Sequence, residues 1–216
     1  MKLLSLNVGL PREIEWKGRV IRTSIFKTPV PGRVRVAKLN LEGDQQSDLS
    51  LHGGIEKAVY AYASEHYPFW RDEVPGLDLS WGAFGENFTT EGLFNEEAVC
   101  IGDRFTVGSA EFVVTQPRMP CFKLAIRFGR ADMIKRLLCS GRVGFYFAVV
   151  QEGEVTAGDS INLLARHQHG VTVADIVNLY TADATNQKLL HRATELPELP
   201  EGWRQYFCKR LWNPDQ

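Results

Sequence analysis

The chain has 216 residues, enough for one domain of good size or one domain with a small appendage, and its 44% hydrophobic content supports an ordinary globular core. Its 25 basic and 26 acidic residues leave a net charge of −1. That balance argues against non-specific nucleic-acid binding as the main role, while leaving room for a local basic pocket.

The opening stretch, MKLLSLNVGLPREIEW, has a short apolar run broken by Ser5 and Asn7 and lacks a small-residue cleavage site. It therefore reads as a first strand, 2–8, and not as an export signal. No apolar run has the length of a membrane span. Further strands are predicted at 20–26, 34–39, 58–62, 104–107, 111–116, 145–151 and 160–164. Eight short strands with frequent turn residues predict a mainly β fold with some α, a barrel or a strongly curled sheet over residues 1–165. Helical spacing intrudes at 64–74, with Ser64 as its cap and Pro68 near the first turn, and at 131–141, ending on Gly141. After residue 165 the texture changes. Thr172 precedes Val173, Ile176, Val177 and Tyr180 at helical spacing; Leu189, Leu190 and Ala193 mark a second helix, and Trp203, Tyr206, Phe207 and Leu211 a third. Residues 166–216 are thus expected to form a small three-helix domain. The four cysteines, Cys100, Cys121, Cys139 and Cys208, have no CxxC or zinc-like spacing and read as reduced thiols of a cytoplasmic protein.

Several stretches have the makings of a site. In QPRMPCFKL (116–124), Cys121 follows a predicted strand between Arg118 and Lys123. Neighbouring cations favour a thiolate, and Pro117 and Pro120 restrict the backbone that presents it. Spacing alone equally allows a small buried thiol. In DLSLHGGIEKAVYAY, Gly53 and Gly54 permit close approach of backbone N–H groups to an anion, with His52 before them and Lys57 after, or they simply make a turn. GAFGENF offers Glu86 and Asn87 as hydrogen-bonding groups, or a tight turn. Lys27, Arg33 and Arg35 gather around a Pro-Gly turn, Arg142 precedes Phe145 and Tyr146, and His66 lies among aromatics. His167 and His169 have no third ligand and do not read as a zinc site.

Taken in order, GDQQSDLSLHGGIEKAVYAY, EHYPFW, FGENFTTEGL, IGDRF, QPRMPCFKL and GRVGFYF resemble the MOSC family, the domain shared with the C-terminal part of molybdenum cofactor sulfurases, over about residues 1–165. The tail resembles the three-helix extension of a bacterial subgroup that includes a protein detoxifying N-hydroxylated bases such as hydroxylaminopurine.

The resemblance implies a MOSC-type β-barrel that holds molybdenum cofactor (molybdopterin), with Cys121 as a soft thiolate ligand to molybdenum. Lys27, Lys57, Arg118, Lys123 and Arg142 would meet its phosphate together with the Gly53–Gly54 backbone, and Glu86 and Asn87 its pterin edges. The implied reaction is reduction of an N-hydroxylated small molecule to the amine, with His66 and His52 as proton donors. Trp81, Phe84, Phe88 and Tyr146 are candidates for stacking a flat substrate. The chain carries no Rossmann, flavin or iron–sulfur pattern, so electrons are expected from an external reductase. A sulfur carrier using a Cys121 persulfide is the alternative. A DNA-binding tail is disfavoured, because residues 167–216 hold five Lys/Arg against six Asp/Glu; neither nucleic acid nor membrane is an expected partner. Covering the pocket, docking the electron donor and pairing two subunits as a homodimer all stay open as roles for the tail.

Overall fold

The structure is a computed structural model and describes residues 1–47, 53–182 and 185–212. The strands are β1 (Lys2–Val8), β2 (Arg12–Trp16), β3 (Arg19–Thr23), β4 (Thr28–Pro29), β5 (Val34–Val36), β6 (Val59–Ala63), β7 (Phe88–Glu91), β8 (Arg104–Val107), β9 (Ala110–Pro117), β10 (Phe145–Gln151), β11 (Gly153–Val155) and β12 (Ile161–Ala165). The α-helices are α1 (Tyr67–Glu73), α2 (Phe122–Phe128), α3 (Met133–Ser140), α4 (Val173–Thr181), α5 (Gln187–Thr194) and α6 (Glu201–Trp212). No helix among the described residues is long and apolar enough to cross a membrane.

Eight strands form one sheet in the order β12-β8-β9-β10-β6-β7-β1-β4. The pairs are antiparallel except β6 with β7, which is parallel. This order has two edges, so the expected closed barrel is corrected to an open, curled sheet within a mainly β fold with some α. Register shifts in the β9–β10 and β1–β7 pairings supply the bends that curl it. The curl brings the start of β1 beside the start of β12, where Leu3 N–H donates to Asp159 O and Ile161 N–H to Met1 O, both at 2.9 Å. A Lys2–Ser160 bridge joins them, but no strand ladder runs along this seam.

Several boundaries differ from the pattern reading. The strand expected at 20–26 stops at Thr23 and pairs with β2, whose alternation of Ile14 and Trp16 with Glu13 and Glu15 spans too few residues to stand out. The strand expected at 34–39 is only Val34–Val36. β7 and α2 were not foreseen. Ser64 opens a 3-10 turn and makes no capping bond with its side chain, so it is not the expected cap of α1.

β6 is buried on both faces. Val59 and Ala61 face the main core, which Phe88, Phe94, Phe105, Phe112, Phe145 and Phe147 fill with edge-to-face pairs such as Phe94–Phe105 (4.9 Å, 87°). Tyr60 and Tyr62 face the other way, into a second cluster with Tyr67, Trp70 and Phe84. The three expected tail helices are present. Thr172 and Asp175 form a reciprocal capping box at the start of α4, with bonds of 3.0 and 2.9 Å. Ile176, Leu179, Leu190, Ala193 and Phe207 of these helices join the same core as the sheet.

Because that core is continuous, Phe207→Ala is expected to cost about 3–5 kcal/mol. Sheet and helices should still unfold together, with coincident near- and far-ultraviolet circular dichroism transitions. A separate early helical transition would show the tail to be an independent unit.

Candidate functional site

The segment Arg118-Met119-Pro120-Cys121 links the end of β9 to the start of α2. Its course is set by the neighbouring strand: Pro117 lies opposite Phe145, and Arg118 N–H donates to Gly144 O at 3.0 Å. Position 144 admits only glycine. Its φ is +68°, and an added Cβ would stand 2.4 Å from Ala61 O. Gly144 N–H donates in turn to Glu96 Oε1 at 2.6 Å. Glu96 Oε2 is 2.7 Å from His66 Nε2.

Above this support lies a pocket of about 100 Å³ whose walls include Lys27, Lys57, Arg118, Lys123, Cys121 and Tyr146. Asp44 is the carboxylate among its lining residues. It pairs with Lys27 and accepts from Gly9 N–H at 2.8 Å and Asn87 Nδ2 at 2.9 Å. Burial lowers the Lys27 pKa, with Asp44 pulling the other way. Lys123 is buried and donates to Ser47 Oγ at 3.1 Å. Arg118 is only 5% exposed, and its guanidinium lies 5.4 Å from the Tyr60 ring centre. Burial acts against its charge, but the phenols of Tyr60 and Tyr146 and the Cys121 thiol outweigh this and hold its pKa above the usual arginine value. Among the described residues, two polar atoms of the lining, Arg118 Nη1 and Ser24 Oγ, are buried without a hydrogen-bond partner. A guanidinium nitrogen and a hydroxyl can both donate hydrogen bonds to an anion.

Lys27, Lys57, Asn87, Arg118, Cys121 and Lys123 thus come together as the sequence anticipated. Asn87 contributes as a brace: its amide nitrogen is committed to Asp44 and to Asn7 O, and its oxygen accepts from Tyr60 N–H. Other expected members lie elsewhere. Glu86 is buried behind the wall, accepting from Gly82 N–H (2.8 Å), Phe84 N–H (3.0 Å), Thr89 Oγ1 (2.9 Å) and the Tyr67 phenol. Burial raises its pKa against the pull of those donors. Gly53 and Gly54 are not among the lining residues; Gly54, with φ +103°, instead caps the 3-10 turn Ile55–Lys57. Arg142 stacks 4.0 Å over Phe69 and, with His66, lines a separate cavity of about 700 Å³. His52 lies outside the described residues. Of the four aromatics that could either stack substrate or pack the core, Tyr146 lines the pocket, whereas Phe84 and Phe88 are fully buried and Trp81 packs on Tyr67.

Asp44, Ser24 and Tyr60 were missed. Asp44 and Tyr60 sit inside quoted motif stretches, yet nothing in their spacing marks them as walls of one pocket. Among the described residues, no group of three or more His, Cys, Asp or Glu side chains is placed to hold a metal ion.

Residues 48–162 match the MOSC domain, and residues 171–212 match the YiiM-like 3-alpha helix domain. The chain belongs to the MOSC family. "Uncharacterized protein YflK" of Bacillus subtilis (strain 168) is 44% identical over 208 residues, covering 96% of this chain and 93% of that protein. A "Reductase" of Gibberella moniliformis (strain M3125 / FGSC 7600) is 37% identical across 83% of this chain, which corresponds to 32% of the fungal protein. The crystal structure of YiiM from Geobacillus stearothermophilus aligns with a TM-score of 0.81 and 36% identity, over 97% of this chain and 98% of that one. MOSC domains are generally associated with molybdenum cofactor binding, and the cation-lined pocket of this MOSC chain is formed by the matched segment and by residues 23–47 before it.

Two outcomes follow from the site's geometry. Arg118→Gln removes the cation that couples to Cys121, so alkylation of Cys121 by iodoacetamide, followed by peptide mass mapping, should shift to higher pH. An unchanged profile would separate the two groups. Glu86→Gln turns an amide N–H₂ toward donors and should cost about 1–3 kcal/mol. It should also flatten a pH slope: because the folded carboxyl keeps its proton to higher pH than the unfolded one, stability falls as pH rises between their two values. Urea titrations across pH 4–8 check both effects; equal slopes in the two proteins would contradict a raised Glu86.

Proposed function

We propose that the chain is a molybdenum-cofactor-dependent reductase that converts N-hydroxylated compounds, such as 6-N-hydroxylaminopurine, to the amine. The observation that carries this reading is the pair of orphaned atoms, Arg118 Nη1 and Ser24 Oγ, in a cation-rich pocket that also contains Cys121. A phosphate-bearing group fits them, since its oxygens accept hydrogen bonds from a guanidinium and a hydroxyl alike. Lys57, Arg118 and Lys123 would hold that end, and Cys121 would offer a soft sulfur to the metal. When bound, the cofactor supplies the two-electron chemistry of its metal.

The balance for the substrate is R–NHOH plus two electrons and two protons giving R–NH₂ and water. With His66 lining a different cavity, Lys27 is the pocket residue assigned to hold a proton, at Nζ, where burial weakens its grip. Tyr146, partly buried beside Arg118, keeps its phenol protonated and forms part of the pocket wall. Electrons are assigned to an external reductase, and the name of the fungal relative supports an oxidoreductase role.

Protein expressed in a host that makes the cofactor should contain stoichiometric molybdenum by mass spectrometry and turn over hydroxylaminopurine with reduced methyl viologen. Cys121→Ser should lose both, while Cys139→Ser keeps both. Full metal and turnover in Cys121→Ser would sink the assignment. Metal-free wild-type protein carrying labile sulfane sulfur would instead identify a sulfur carrier.

A further inference from the structure

A third concavity, of about 340 Å³, lies where the helices meet the sheet, within the range of small-molecule sites. Tyr180, Trp203 and Tyr206 line it from the helices, and Glu56, Lys57 and Gln116 from the sheet side. Lys57 also lines the cation-rich pocket, so one side chain borders both spaces. The three rings pack on one another at an angle, with centres 5.5 Å apart and planes at 69° for Tyr180–Trp203 and 42° for Tyr180–Tyr206. None of the three is buried; Tyr180 is 40% exposed. Trp203 Nε1 donates to Gln116 Oε1 at 3.1 Å, and Gln116 is two residues before Arg118. The indole is thereby fixed in orientation by the strand that leads into Arg118. Arg210 stacks on Tyr206 at 4.6 Å and steadies that ring. Rigid aromatic faces beside an open groove make a stacking platform for a flat ring, and Glu56 supplies a carboxylate that accepts from amino groups on the ring's edge.

We infer that this aromatic groove binds the planar, amino-bearing heteroaromatic ring of the substrate, and that the three-helix domain is part of the substrate site. The inference rests on the reductase reading for what is done to that ring, but the binding itself does not depend on it. The ring would stack against Trp203 while its exocyclic nitrogen points past Lys57 toward the pocket of Cys121.

The test uses the full chain and adenine, a redox-inert probe, titrated by calorimetry. Wild-type protein should bind adenine, and Trp203→Leu should weaken binding about tenfold, with Trp203→Phe largely restoring it. Gly202 also lines the groove, and an added Cβ there meets nothing within 4 Å. Gly202→Leu should therefore block adenine binding while leaving the melting temperature about equal, since the added Cβ meets no neighbour in the first turn of α6. Arg118→Gln should abolish binding of inorganic phosphate and leave adenine binding unchanged. Absence of adenine binding in metal-bearing, active protein, or equal binding by wild type and Gly202→Leu, would overturn the groove and leave the reductase reading standing. Metal-free, inactive protein that still binds adenine through Trp203 would support the groove while the reductase reading fails.

Discussion

An arginine side chain held 5% exposed, with one guanidinium nitrogen lacking a hydrogen-bond partner, is an expensive thing to build into a protein interior. Around Arg118 the structure offers only partial compensation: the face of Tyr60, the phenol of Tyr146 and the thiol of Cys121. Lys123 is matched with a neutral hydroxyl, and Asp44 is already engaged with Lys27, Gly9 and Asn87. On the proposed reading, the phosphate of the cofactor completes this pocket. The remaining described walls hold its cations in place.

The supports lie one layer below. Gly144 takes the Arg118 amide on its carbonyl and gives its own amide to Glu96, which is shared with His66. The histidine and carboxylate that look like acid–base machinery therefore hold the backbone beneath the pocket. The same holds for Glu86, whose four donors knit together the turn at residues 82–86, β7 and α1. Polar residues next to a site need not face it. Here two of the most conspicuous are buried brackets.

The helical tail belongs to this arrangement by packing as well as by position. Ile176, Leu190 and Phe207 complete the core that the curled sheet leaves open, and Trp203 is bonded to Gln116 on β9. One rigid unit thus carries both the cation-rich pocket and the aromatic groove beside it. An unclosed sheet is compatible with this because the helices cover hydrophobic surface that a closing strand would otherwise have covered.

Local pattern was enough for a great deal. Alternation found most strands, 3.6-residue spacing found the tail helices, and QPRMPCFKL brought out Cys121, Arg118 and Lys123 because cations around a thiol between prolines form a contiguous signal. It missed β2, where the alternation spans too few residues to stand out, and α2, a short helix with buried Lys123, Leu124 and Ala125. What a linear string could not decide was which way each polar side chain turns. Glu86 and Asn87 are adjacent, yet one is sealed behind the wall and the other braces it; His66 and Arg142 fall into a different cavity from Lys27. Those choices depend on sheet curl and on contacts between residues far apart in the chain, such as Asn87 with Asp44, or Trp203 with Gln116. Such contacts exist only once hydrophobic burial has folded the sheet around its core and closed the helices over it.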